Sequence, residues 1–129
     1  MSGVYPEDKW VNVNGLDIHY LDWGGDLTKK PLILMHGIGG HAHMFDNLAP
    51  EMTDEWHVIA LDGRGCGDSD WSREGYSTQS YASDVGQFAL TTGLYPFDYY
   101  GHSQGSRIGI PVGAYFGHLV DHLVLGDYG

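Results

Sequence analysis

The sequence predicts an α/β fold, a mostly parallel sheet with helices on both faces and an antiparallel hairpin at the start, and three observations point to it. Short continuous apolar runs, each ending near glycine or aspartate, suit strands buried on both sides, as in a parallel sheet. Between them lie stretches able to form helices, so the chain reads strand, helix, strand, helix. Ahead of this alternation, apolar and polar residues exchange places around an Asn-Gly pair, the mark of a two-residue hairpin turn.

That hairpin joins Trp10-Val11-Asn12-Val13 to Leu16-Asp17-Ile18-His19-Tyr20 through Asn14-Gly15. The buried runs follow: Leu32-Ile33-Leu34-Met35 after Pro31, Val58-Ile59-Ala60-Leu61, residues 97–100 and Leu123-Val124-Leu125, which brings the count to about six strands. The strongest helix covers residues 77–92, with Tyr81, Val85, Phe88 and Ala89 on one face and Ser77 or Thr78 able to cap its start. Residues 44–52 offer a shorter, weaker helix. After Ser103 a third helix is expected, although Gly105, Gly109, Gly113 and Gly117 recur every fourth residue and Pro111 interrupts them. Such a glycine row lets a helix lie close to a sheet at a cost of about 1 kcal/mol per glycine relative to alanine, and the proline should bend the axis. No repeat or linker divides residues 1–129, so one domain is expected.

Composition narrows the function. With 129 residues and 42% hydrophobic content the chain can build a core and is too apolar for a disordered tail. The 17 acidic residues against 6 basic ones leave a formal net charge of -11, which repels phosphate backbones and anionic bilayers, so neither nucleic acid nor membrane is an expected partner. One cysteine, Cys66, excludes an internal disulfide, and residues 1–8 have neither a basic nor an apolar leader, so a cytoplasmic location is expected.

Chemistry concentrates where apolar runs end. Gly101-His102-Ser103-Gln104-Gly105 fits G-x-S-x-G between a strand and a helix, where a sharp turn lifts the serine clear of the sheet and small residues two positions either side let backbone approach. The pentapeptide alone is weak evidence: 20 glycines and 8 serines would produce it by accident in about one such chain in five. Two further loops strengthen it. His36-Gly37-Ile38-Gly39-Gly40 follows the strand ending at Met35 with its backbone N–H groups uncovered, and the strand ending at Leu61 runs into Asp62-Gly63-Arg64-Gly65-Cys66-Gly67-Asp68-Ser69. A hydrolase oxyanion hole needs one donor from the first kind of loop and one from the residue after the nucleophile, here Ile38 and Gln104.

In this order and at these separations, His-Gly-x-Gly-Gly, Asp-x-Arg-Gly-x-Gly-x-Ser and Gly-His-Ser-x-Gly resemble the α/β-hydrolase superfamily, in its serine esterase, C–C hydrolase and haloperoxidase-like branches. The resemblance covers the whole chain and implies the N-terminal portion of that fold. It implies a serine hydrolase acting on an ester or related acyl substrate through an acyl-enzyme: Ser103 as nucleophile, Ile38 and Gln104 at the oxyanion, and His36, Gly37, Gly101, His102 and Gly105 as loop and elbow support. Gln104 stands where many relatives carry methionine, which touches pocket lining more than mechanism. Dehalogenase and epoxide-hydrolase relatives use aspartate as nucleophile, so Ser103 argues for acyl chemistry. Relatives are longer, with acid and base histidine after later strands. The chain therefore reads as truncated after its sixth strand and nearly inactive alone, with a complementing C-terminal segment or self-association as the expected partner. Asp127, after the last apolar run, is the one candidate acid, although a strand-end aspartate more often caps a loop. His19, His57, His118 and His122 read as surface or packing residues.

Other readings compete. Gly37-Ile38-Gly39-Gly40-His41-Ala42 satisfies G-x-G-x-x-A after a strand, with Asp62 placed to hold a ribose, as in an NAD(P)-binding Rossmann-like protein; that leaves the Ser103 motif and the Asp62 turn unexplained. His41 and His43, with His36 nearby, form an incomplete metal-ligand set, and Cys66 has no neighbouring base. No cofactor and no metal are expected. A non-catalytic hydrolase-fold binding protein is the third reading.

Overall fold

A computed structural model describes residues 4–37 and 39–126. The opening hairpin pairs β1 (Glu7–Val13) with β2 (Leu16–Gly25), Val13 opposite Leu16. Asn14 and Gly15 both take positive φ, 52° and 81°, as a type I′ turn demands. β2 runs five residues past its predicted end because a second partner, β4 (His57–Leu61), lies antiparallel along Tyr20 to Gly25. Strands β3 (Pro31–Met35), β4, β5 (Phe97–His102) and β6 (Val120–Gly126) are mutually parallel, in the spatial order β1-β2-β4-β3-β5-β6.

Alternation along each strand feeds two cores. On one face Ile33, Met35, Ile59 and Leu61 pack with Val85, Phe88, Ala89, Ile108 and Val112, the last five coming from α2 (Thr78–Thr92) and α3 (Gln104–Phe116). Ser77 caps α2 by accepting from the Ser80 N–H, and Gly93 closes it in the left-handed conformation. The glycine row works as predicted at three places: side chains at Gly105, Gly109 and Gly113 would strike the Met35 carbonyl, Leu125 and Leu123. Gly117 instead lies at the end of α3, and Pro111 remains inside the helix.

On the opposite face Leu21, Trp23, Leu32, Leu34, Val58 and Ala60 pack with Ala42, Phe45 and Ala49, and the partly buried Val4, Met52, Trp56 and Tyr100 lie against them. The single helix expected over residues 44–52 is in fact a 3₁₀ turn, Ala42–Phe45, followed by a one-turn helix, α1 (Ala49–Met52). Pro50 at the start of α1 explains the break, because proline is accommodated in a first turn but cannot continue a helix from upstream. The thin cover leaves an apolar groove of about 690 Å³ lined by Leu32, Leu34, Met52, Trp56, Tyr100 and Val124. No helix among the described residues is long and apolar enough to cross a membrane.

Candidate active site

β3, β4 and β5 are adjacent and parallel, so the loops that follow them emerge at one edge of the sheet. The last of these turns is the sharpest. Ser103 sits between β5 and α3 at φ 57° and ψ -116°, a conformation that costs an L-residue of order 1–3 kcal/mol and that the surroundings here enforce. A side chain at Gly101 would enter the carbonyl of Gly105, and one at Gly105 would enter those of Met35 and His36. Glycine is therefore required on both sides of the serine for steric reasons. The Ser103 side chain is exposed, while its backbone is held from both directions: its N–H donates to Gly126 (3.1 Å), and its carbonyl accepts from the N–H and hydroxyl of Ser106. Beneath the turn the buried Tyr99 hydroxyl donates to the Gly105 carbonyl at 2.6 Å, and burial pushes that phenol well above its ordinary range. Gln104 is the first residue of α3, so its N–H lies ahead of the intrahelical ladder.

The loop after β3 touches this turn. A Cβ at Gly37 would come within 3.1 Å of the Ser103 Cβ and 3.3 Å of the His102 carbonyl. His36 Nδ1–H donates to the Gly37 carbonyl (2.8 Å), which leaves Nε2 to accept from the Gly63 N–H at 2.9 Å. Burial holds this imidazole below its ordinary range despite the Gly37 carbonyl and Asp62, in keeping with the neutral form that the two bonds require. Ile38 and Asp127 lie outside the described residues.

The turn after β4 is a buried polar knot. Asp62 accepts from the Ala42 N–H (2.6 Å), the Asp68 N–H (2.9 Å) and His19 Nδ1 (2.6 Å). Desolvation opposes its charge, and the three donors outweigh that and hold the carboxyl below the usual range. Arg64 makes a bidentate pair with Asp84 of α2, two bonds of 2.7 Å, and also reaches the Gly75 carbonyl.

His19 corrects the sequence reading. It is no ordinary packing residue, being 1% exposed and gripped between Asp62 and Asp8 (2.7 Å from Nε2). Tyr99 was missed altogether. The available signal for His19 was the run Tyr20-Leu21 continuing to Trp23, which marks β2 as buried on both faces rather than half exposed.

Two rival readings lose their residues. Asp62 is 3% exposed with its carboxylate occupied by protein donors, so it offers nothing to a ribose. His43 bonds Asp46, and the His36 nitrogens are both engaged; among the described residues the ligand atoms that converge belong to His19, Asp62 and Asp68 and to Asp98, Asp121 and His122, apart from that trio. Cys66 is half-buried, and desolvation raises its thiol, the opposite of nucleophilic activation.

A sharp serine turn flanked by obligatory glycines, set against a glycine loop at the edge of a mostly parallel sheet, defines an α/β-hydrolase-like site. Residues 30–127 match the alpha/beta hydrolase fold family, and the chain belongs to that family. It is 29% identical over 119 residues to a soluble epoxide hydrolase of Corynebacterium sp. (strain C12), covering 89% of this chain and 39% of that protein. A fluoroacetate dehalogenase of Burkholderia sp. is 34% identical over 108 residues, covering 80% and 34% respectively. The crystal structure of E-2-(acetamidomethylene)succinate hydrolase superposes with a TM-score of 0.90 at 26% identity, covering 97% of this chain and 46% of that one. The chain thus spans less than half the length of each.

Proposed function

We propose that this chain carries the nucleophile and oxyanion elements of a serine hydrolase acting on an ester or related acyl substrate. The observation that carries the reading is Ser103, exposed at positive φ between strand and helix and abutting Gly37. In this mechanism Ser103 Oγ bonds to the substrate carbonyl carbon while a histidine base takes its proton. The N–H groups of Gln104 and Ile38 receive the developing oxyanion, and His36, Gly37, Gly101, His102 and Gly105 keep loop and elbow in place. Collapse expels the alcohol or amine, which leaves with that proton, and water then cleaves the acyl-enzyme.

Chemistry favours a carbonyl over the substrates in the names of the epoxide hydrolase and the dehalogenase. Serine attack on an epoxide or carbon–fluorine carbon would form an alkyl ether, which water does not cleave, whereas attack on a carbonyl forms an ester that turns over. In this reading the base histidine lies outside residues 1–129, and Asp127 is the candidate acid. Residues 1–129 alone should be nearly inactive, because loss of a triad member in serine proteases leaves only ~10³ to 10⁴-fold enhancement over water.

In this reading polypeptide following β6 covers Trp56, Tyr100 and Val124 and brings the histidine. The test adds a relative's C-terminal half to residues 1–129 and measures fluorophosphonate labelling and ester hydrolysis. Labelling that appears on addition and vanishes in Ser103→Ala supports the reading; labelling indifferent to Ser103 overturns it. A homodimer by light scattering would identify a second copy as the groove's occupant instead.

A further inference from the structure

Residues 36–42 include Gly37, Gly39 and Gly40 and could not hold one shape unaided. Among the described residues two pins reach them from outside the segment, from consecutive residues just after β4. The Gly63 N–H donates to His36 at one end, and the Asp62 carboxylate accepts from the Ala42 N–H at the other. The other Asp62 oxygen meets His19 Nδ1 (2.6 Å) and the Asp68 N–H (2.9 Å), and the His19 backbone is itself locked: its N–H donates to Ser69 Oγ (2.8 Å), and its carbonyl accepts from the Asp62 N–H (3.0 Å).

We propose that His19 is a positioning residue for the candidate oxyanion loop: held between Asp8 and Asp62, it orients the carboxylate that fixes Ala42 and so sets residues 36–42 against Ser103. The proposal rests on the serine hydrolase reading for its catalytic meaning, but the coupling from His19 to Ala42 stands on geometry alone. The titratable groups facing His19 are Asp8 on β1 and Asp62 and Asp68 beyond β4, with the Trp10 ring 4.8 Å away. Only the imidazolium can donate to both carboxylates at once, and a ring that is 1% exposed has no water to replace a lost partner. Burial works against that charge, yet Asp62 and Asp8 together raise His19 above its ordinary range.

The test exploits the two ring nitrogens. In His19→Asn the amide nitrogen stands near the Nδ1 position and can still donate to Asp62; in His19→Gln it extends toward the Nε2 position and reaches Asp8 instead. The Ala42 amide resonance and its hydrogen exchange in the full chain are the readouts. Wild type should show the Ala42 amide shifting with the titration of His19 above pH 6.5. His19→Asn should keep the low-pH shift across the range, and His19→Gln should lose it, with exchange over residues 36–42 faster by about tenfold. Equal behaviour of the two variants, or an Ala42 amide indifferent to His19 protonation, would overturn the proposal. If neither variant folds, the wild-type titration alone decides. In a turnover-competent protein kcat should fall about tenfold in His19→Gln with KM little changed. Fluorophosphonate labelling of Ser103 separates failure of the hydrolase reading from failure of this coupling.

Discussion

The two faces of the sheet are built from the same strands and finished differently. Toward α2 and α3, Ile33, Ile59, Phe88 and Tyr99 are wholly buried, whereas on the other side Val124 is 53% exposed and the groove beside Trp56 and Tyr100 stays open. A strand supplies side chains to both faces with a period of two, so whether a face becomes a core depends on what is laid over it. The α2 and α3 side is the more fully covered, and the other side keeps an apolar groove beside its own buried cluster.

Substitutions on the covered side should show the largest effects. Phe88→Ala should cost about 3–5 kcal/mol by cavity formation. Arg64→Ala should cost about 3–5 kcal/mol by leaving the buried Asp84 carboxylate without its bidentate partner. Urea unfolding measures both, and a loss under about 1 kcal/mol in either would mean that the α2 face is not the main support. Gly105→Ala, which drives a methyl into the Met35 carbonyl, should cost about 1–3 kcal/mol and should distort the Ser103 turn, seen as loss of fluorophosphonate labelling in the extended protein.

A smaller effect comes from pH. His19 lies above its ordinary 6.5, so its contribution is full below that pH and is lost as pH rises through the folded value. His36 lies below 6.5, so its contribution is full above that pH and is lost as pH falls toward its folded value. Between pH 5 and 8 the urea midpoint should therefore peak near 6.5, with His19→Asn flattening the alkaline side and His36→Asn the acid side. A profile unchanged by either substitution would refute the opposite charge states. The smallest effect belongs to the groove: Val124→Ser should change stability by no more than about 0.5 kcal/mol in this chain, and a large cost would show that the open face is already part of a core.

Much of this molecule was legible in local patterns. Asn14-Gly15 announced the hairpin because a type I′ turn needs positive φ at both central residues, and Ser77 and Gly93 close α2 by capping chemistry that acts within a few residues. The Ser103 turn was legible because glycines two positions either side of the serine form a recognisable pattern, although the atoms that demand them belong to Gly105 for Gly101 and to Met35 and His36 for Gly105. The 44–52 helix was misjudged because an apolar count ignored what Pro50 does to a helix arriving from upstream. His19 was misjudged because its partners, Asp8 and Asp62, stand 11 and 43 residues away in the chain.

The sequence by itself determined which segments extend and which coil, where the chain turns, and that a serine stands on the sharpest of those turns, since periodicity, capping and turn chemistry operate over a few residues. Tertiary structure alone decided that β4 lies between β2 and β3, that His19 is clamped by two carboxylates beneath the glycine loop, and that one face of the sheet keeps a groove beside Trp56 and Tyr100. These outcomes depend on contacts between residues far apart in the chain, where burial and pairing of charges are settled by which surfaces meet.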